Sequence, residues 1–379
     1  MIKNIFQKIG LLAGILFVCS VSSYSKNNTK FISACNEAFH YMGRINLNNE
    51  IARYNWPGVS VSVDFSGTQL GIRLKGGARN YFNIWVDDQP EEVIRAVNDT
   101  VWWFPGKLKK TLHHFRIVKR TEAEMGMAEF YGLYIGENDL LKKPSQISDR
   151  NILFIGNSIT CGYGTEGKNK TERFKPATEN CEKSYATIIA RAFGAQYQLT
   201  AHSGLGMIRN YGDPEKLSVK RKPMPARFEY LFDGDSTVQY NLMNFIPDAV
   251  VINLGTNDFS TKPFPNESDF IAAGENLAKR LLDTFPGIKI FCITGPMINE
   301  PCFSYTKKIV ESIRNERNTK DVIFVGVPAD ILSSEEDLGS DWHPSYRGQV
   351  KTANMVIPVM GYLLNWDFST DEIDQTLKY

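Results

Sequence analysis

The sequence predicts two folded units in tandem: an all-β sandwich of the jelly-roll kind, then an α/β unit with a five-stranded parallel sheet and helices on both faces. Three observations carry this expectation. The 379 residues exceed a typical single domain, and a 42% hydrophobic content is ample for two cores. The first part holds short apolar runs of period two punctuated by Gly, Asn and Asp. The second alternates longer apolar runs with stripes at helical spacing, the mark of a parallel sheet with crossover helices.

Residues 1–25 stand apart. Lys3 and Lys8 precede an apolar stretch over 9–18 and a Ser-rich end over 20–25, the pattern of a secretory signal peptide. The apolar run is short for a permanent membrane span, so export to the periplasm, cell surface or medium is expected. A lipid anchor at Cys19 is disfavoured, because Leu16, Phe17 and Val18 are bulky where such processing wants small residues. Without Lys3 and Lys8 the formal charge moves from +1 to −1. A near-neutral chain without blocks of like charge argues against nucleic acid or a membrane surface as partner.

Within 30–148, the run 59–65 alternates strictly, 81–86 does so in part, and 114–118 and 130–135 are further strands. Trp56, Trp85, Trp102 and Trp103 fall here and are expected mainly as core. The adjacent pair Trp102-Trp103 must point to opposite faces of a strand. His113-His114 lacks acidic or Cys neighbours at ligand spacing, so a structural or surface role is expected rather than a metal site.

Within 149–366 the expected strands are 152–155, 196–200, 249–254, 288–293 and 322–325. A helix follows from Tyr185, Ile188, Ile189, Ala192 and Phe193, ended by Gly194, and another from Phe270, Leu277, Leu281 and Phe285, ended by Pro286-Gly287. The last begins after Ser345 and runs towards Leu363, with Pro358 expected to kink or divide it.

The apolar run 152–155 stops at Gly156-Asn157-Ser158, so a buried strand delivers a serine to its carboxyl end, where open α/β sheets bind ligands. Asn157-Ser158 is also a natural helix cap. Three later segments supply what a nucleophilic serine needs: Ser203-Gly204, Gly255-Thr256-Asn257-Asp258 and Asp341-Trp342-His343-Pro344. A serine hydroxyl requires a base held in one tautomer, roles that His343 and Asp341 fill. Its tetrahedral intermediate requires oriented donors, which the N–H groups of Ser158 and Gly204 and the Asn257 amide provide. Gly204 and Gly206 also suit turns, Asp258 suits local structure, and His202 is a rival base.

These segments, GNSIT, SG, GTND and DWHP, resemble in order and content the SGNH (GDSL-like) hydrolase superfamily. The stretch from Ser158 to Tyr185, with ITCGYGTEG, Phe174, Thr178-Glu179-Asn180 and Ser184-Tyr185-Ala186, is similar to carbohydrate esterase family 2, as is Val118-Lys119-Arg120-Thr121-Glu122 upstream. The resemblance implies a metal-independent, cofactor-free acetyl esterase acting as a monomer on acetylated xylan or glucomannan, poly- or oligosaccharide. It implies Ser158 as nucleophile, His343 as base, and Ser158, Gly204 and Asn257 as oxyanion donors. Much of the superfamily has an Asp three residues before the His, where this chain has Ser340. Asp341, two before, serves through its carboxylate or through its backbone carbonyl. Tyr163 and Trp342 either line the sugar site or pack beside it.

Five cysteines follow the leader. Cys161 with Cys181 and Cys292 with Cys302 are either disulfides or buried thiols, and none has zinc spacing. Two other functions compete: a lipase or thioesterase of the same superfamily, and a carbohydrate-binding protein with a vestigial site.

Overall fold

A computed structural model describes residues 28–370 apart from 88 and 90, so the leader and Cys19 lie outside the described residues. The N-terminal unit is a sandwich of two six-stranded antiparallel sheets. One runs in the order Asn46–Asn48, Ile51–Tyr54, Ala128–Gly136, Gly71–Lys75, Thr100–Trp103, with Thr29–Ser33 also paired to Ala128–Gly136. The other runs Leu141–Lys142, Ser60–Gly67, Thr111–Lys119, Phe82–Val86, Glu92–Ile94, with His40–Met42 paired to Ser60–Gly67.

Period two explains the packing. Val61, Val63 and Phe65 enter the core between the sheets, where Ile72, Leu74, Ile84 and Phe130 meet them. The outer face of the second sheet is covered as well. Met42 and Val118 join a cluster with Ile152, Tyr197 and Leu199 of the next unit, so this sheet is buried on both sides. Trp56 is fully buried, and its indole N–H donates to the Leu231 carbonyl at 3.1 Å. Trp102 packs on the sandwich core, whereas Trp103 turns outward to Tyr134, ring centroids 5.9 Å apart. His113 pairs with Asp87 at 2.6 Å and His114 with Asp64 at 2.7 Å, contacts that tie a strand to its neighbours.

The second unit holds the parallel sheet: β1 (Asn151–Gly156), β2 (Gln196–Ala201), β3 (Ala249–Ile252), β4 (Lys289–Thr294) and β5 (Val322–Gly326), in the order β2-β1-β3-β4-β5. Alternate residues of β1 leave on opposite faces. Ile152 and Phe154 meet helix α2 (Tyr185–Ala192) and helix α6 (Tyr346–Leu364). Leu153 and Ile155 share a cluster with Phe270, Leu277 and Leu281 of helix α4 (Glu267–Thr284) and Ile309 of helix α5 (Cys302–Arg317). Burial on both faces is why these strands read as continuous apolar runs. The short helices α1 (Ser158–Cys161) and α3 (Thr256–Phe259) follow β1 and β3 directly.

Two open expectations narrow. Helix α6 continues through Pro358 instead of dividing there. The proline sits on the exposed side of the helix, while Val356, Ile357 and Met360 stay buried. Neither cysteine pair is bonded. Cys161, Cys181, Cys292 and Cys302 are buried thiols, and Cys181 Sγ lies 3.5 Å from the Lys119 carbonyl.

The units are joined by a buried polar seam along Lys119-Arg120-Thr121-Glu122, the end of the sandwich strand Thr111–Lys119 and its continuation. Arg120 is 1% exposed. Its Nε donates to the Glu179 carbonyl at 2.8 Å, Nη1 to Asn83 Oδ1 at 3.2 Å, and Nη2 pairs with Glu166. Arg116 adds a two-pronged pair with Glu182, at 3.0 and 3.1 Å. Removing one partner of a buried ion pair strands the other, a loss of about 3–5 kcal/mol. Arg120→Met is therefore expected to lower unfolding free energy by about that amount in a denaturant titration, whereas a change below about 1 kcal/mol would mean the seam is solvated.

Candidate active site

All five strands are parallel, so their carboxyl ends open on one edge, and each site residue lies on a loop leaving that edge. After β1, Asn157 caps α1: its side chain accepts the Ile159 N–H at 3.0 Å, and Ser158 takes the first helical position. The capping reading of this dipeptide thus holds for Asn157 and leaves Ser158 free. Ser158 Oγ lies 2.8 Å from His343 Nε2.

His343 Nδ1 lies 3.1 Å from the backbone carbonyl of Asp341. A carbonyl only accepts, so Nδ1 carries the proton and Nε2 offers its lone pair to the Ser158 hydroxyl. Of the two alternatives open for Asp341, the backbone carbonyl and not the carboxylate lies behind the imidazole. That carboxylate accepts from the Tyr163 hydroxyl at 3.1 Å and the Phe174 N–H at 2.9 Å, and pairs with Arg173 at 3.1 Å. The reason is backbone shape: Asp341 and Trp342 are both left-handed, φ 49 and 65, which swings the Asp341 carbonyl beneath the imidazole. Two outer hydrogen bonds hold this turn, from Asp341 N–H to the Glu172 carbonyl at 2.9 Å and from Trp342 N–H to the Lys170 carbonyl at 3.2 Å.

Burial pushes the His343 pKa down to about 4, with the carbonyl and charge of Asp341 pulling the other way. At neutral pH the imidazole is therefore uncharged and able to accept a proton. His202 has no such freedom. It is buried, with Nδ1 on Asp233 and Nε2 on Arg221.

After β2, Gly204 adopts φ +77, a conformation that L side chains rarely take, and its N–H has no acceptor among the described residues. After β3, one N–H of the Asn257 amide donates to the Leu205 carbonyl at 2.8 Å, which leaves the other for a ligand. Asp258 serves local structure: its carboxylate accepts the N–H groups of Met207, Ile208 and Arg209 at 2.8, 2.9 and 2.9 Å. Gly164, φ +63, lets the loop after α1 approach the Ser340 backbone, where a Cβ would come within 2.7 Å of its carbonyl oxygen.

Ser158, Gly204, Asn257 and His343 line one open cleft of about 550 Å³ together with Tyr163, Asp341 and Trp342. Tyr163 stacks between Phe174 and His343, with ring centroids 4.0 and 4.3 Å away. Trp342 is 55% exposed, and the Lys170 ammonium lies 4.5 Å from its ring centre. Sequence reading did not single out Arg173, Tyr211 or Met297, which also line the cleft. Tyr211 is 62% exposed on the loop just after Gly204, and an aromatic so close to a candidate site residue was the available signal.

A hydroxyl hydrogen-bonded to an oriented neutral imidazole, at the mouth of an α/β sheet and beside free N–H donors, defines the serine-hydrolase class of acyl-transfer sites. Comparison with known proteins narrows this. Residues 154–351 match the GDSL-like Lipase/Acylhydrolase family and residues 41–144 match Carbohydrate esterase 2 N-terminal. A family two carbohydrate esterase from Clostridium thermocellum, solved with cellohexaose, is 33% identical over 86% of this chain and 99% of its own, with a TM-score of 0.78. A family 2 enzyme with a carbohydrate binding domain from Corynascus thermopiles is 26% identical over 86% of this chain and 100% of its own, TM-score 0.74. The chain is also 35% identical to the cellulase/esterase CelE of Acetivibrio thermocellus over 87% of its length, but spans only 40% of that protein. With the acetylxylan esterase / glucomannan deacetylase of Cellvibrio japonicus it shares 28% identity over 92% of its length and 96% of the relative's. The chain belongs to the carbohydrate esterase 2 family of GDSL-like hydrolases.

Two outcomes follow. Asp341→Asn keeps the orienting carbonyl and suits a left-handed backbone, so kcat should stay within about ten-fold of the parent, whereas the same change to an orienting carboxylate costs about 10⁴. The folded His343 pKa lies below the ordinary 6.5, so the unfolded chain takes the proton first. The associated stability is present above pH 6.5 and is lost as pH falls from 6.5 towards 4. The acid limb of kcat/KM should bend near pH 4, and a midpoint near 6.5 would mean an exposed imidazole.

Proposed function

We propose that this chain is an exported carbohydrate O-acetyl esterase that removes acetyl groups from plant polysaccharides of the xylan or glucomannan type. Ser158 Oγ attacks the acetyl carbonyl carbon while His343 Nε2 takes its proton. The oxyanion forms against the N–H groups of Ser158 and Gly204 and the Asn257 amide. The carbonyl re-forms as the sugar oxygen leaves with the proton from His343, and water then attacks the acetyl-serine by the same route. The Asp341 carbonyl orients the imidazole and its carboxylate adds a nearby negative charge for the imidazolium.

The observation that carries this reading is the Ser158–His343 contact of 2.8 Å at the foot of an open cleft walled by Trp342 and Tyr211. Exposed aromatic faces suit a pyranose ring, and the lining of Ser203, Thr256, Asn257, Ser260 and Arg173 offers polar partners for hydroxyls. The polar groups of Ser203, Thr256, Ser260 and Arg173 in that lining favour a sugar ester over the long acyl chain of a lipase or thioesterase substrate. The names of the Cellvibrio japonicus relatives and the cellohexaose bound to the Clostridium thermocellum enzyme support a sugar-ester substrate. Export is supported by the lysine-led apolar leader.

Acetate release from acetylated xylan and glucomannan, run beside 4-nitrophenyl acetate and octanoate, tests the reading. Ser158→Ala and His343→Ala should each lower turnover by about four orders of magnitude or more. Trp342→Ala should raise KM for polysaccharide and leave 4-nitrophenyl acetate nearly unaffected. Preference for octanoate would favour a lipase, and sugar binding without acetate release would favour a binding protein.

A further inference from the structure

At Glu122 the buried seam between the units meets the candidate site. Glu122 follows the sandwich strand Thr111–Lys119 and is fully buried. Its Oε2 accepts the Ser203 N–H at 2.6 Å and lies 3.8 Å from Cys161 Sγ. Ser203 precedes Gly204, and Cys161 closes the short helix that Ser158 begins. A carboxylate from the neighbouring unit therefore reaches both elements that carry backbone donors.

The peptide joining Ser203 to Gly204 is the group to be aimed. Its carbonyl accepts from Arg221 Nη2 at 3.3 Å, and the N–H on the other side of Ser203 is held by Glu122. Because a peptide is planar, fixing the Ser203 carbonyl and the backbone before it fixes the direction of the Gly204 N–H. Gly204 has no side chain of its own to secure a left-handed conformation, so that direction depends on its neighbours.

Glu122 is held in turn. Oxygens of the Glu122 and Glu179 carboxyls and Cys161 Sγ lie within 4.8 Å of one another, and neither Glu179 oxygen has another partner. Two carboxylates in so dry a space do not both ionise, and burial beside Glu122 raises Glu179 well above the usual range. A protonated Glu179 has Glu122 as its neighbouring acceptor, and Glu122 Oε1 has no other partner. Lys119 Nζ donates to the carbonyls of Thr121 and Glu122 at 2.5 and 2.8 Å, which fixes the backbone from which Glu122 projects.

We propose that Glu122 is a positioning residue for ester hydrolysis: through the Ser203 N–H it sets the direction of the Gly204 N–H, so the sandwich unit builds part of the oxyanion site. This rests on the esterase reading, in which the Gly204 N–H meets the oxyanion. The donor acts on the transition state, so its misalignment lowers kcat and leaves KM in place.

The test is steady-state hydrolysis of 4-nitrophenyl acetate by the full chain, with thermal unfolding measured on each variant. Glu122→Ala should lower kcat about ten- to hundred-fold with KM within about two-fold, since small misplacements of catalytic groups cost about that much. Glu122→Gln keeps an acceptor for the Ser203 N–H and should restore kcat to within about five-fold of the parent. Glu179→Gln supplies the donated hydrogen permanently and should match the parent, which keeps the proposal open to refutation if Glu122→Ala fails to fold. An unchanged kcat in Glu122→Ala, no recovery in Glu122→Gln, or a ten-fold loss in Glu179→Gln overturns the proposal. Stoichiometric metal in the parent by elemental analysis, lost in Glu122→Gln, also overturns it by making the cluster a cation site. A parent inactive on every ester refutes the esterase reading, an outcome distinct from all of these.

Discussion

The desolvated guanidinium of Arg120 sets the terms for the rest of the molecule. A charge so deeply buried is tolerated only where acceptors surround it, and these come from both units: Asn83 from the sandwich, and the Glu179 carbonyl and Glu166 from the loop after Ser158. The same loop supplies Tyr163, which packs on His343. Docking of the units and placement of the base are consequently one problem with one geometric solution. The apolar clusters agree, since each contains residues of both units. Relative domain motion, the default for two-domain chains, is not expected across such a seam.

The candidate chemistry is carried to an unusual degree by main chain. A backbone carbonyl lies behind the imidazole, and two of the three proposed oxyanion donors are backbone N–H groups. Such groups cannot be mutated away, and their directions follow from the strand ends that precede them. What side chains contribute is mostly restraint: Asn157 on α1, Asp258 on the three N–H groups of 207–209, Asn257 on Leu205. An uncharged, half-buried base beside fixed dipoles needs little rearrangement when charge develops.

Much of this was legible in the residues. The parallel sheet announced itself through doubly buried strands, and Ser158 through an apolar run that stops at a small-residue turn. His343 could be placed because Ser345 and the helix after it fix where the loop ends. The acceptor behind His343 was not legible, because choosing between the Asp341 carboxylate and carbonyl depends on two φ angles that no composition signals. The seam was hidden for a different reason. Lys119, Arg120 and Glu122 look like a solvated strand end, and only the long-range partners Glu166, Glu179 and Ser203 reveal that they are buried. At Pro358 the residues left open whether helix α6 would kink or divide, because the effect of the proline depends on which side of the helix it occupies.

The left-handed pair Asp341-Trp342 has an evolutionary consequence. Each non-glycine residue there costs on the order of 1 kcal/mol or more in backbone energy, and a tryptophan in that region is a marked outlier. Glycine at position 342 would relieve the strain at once. Drift towards higher stability thus pulls this position away from tryptophan, and only selection for what the exposed ring does can hold it there. A directed-evolution campaign that scored heat resistance alone would meet glycine early at this position, and would trade away the aromatic wall of the cleft for it.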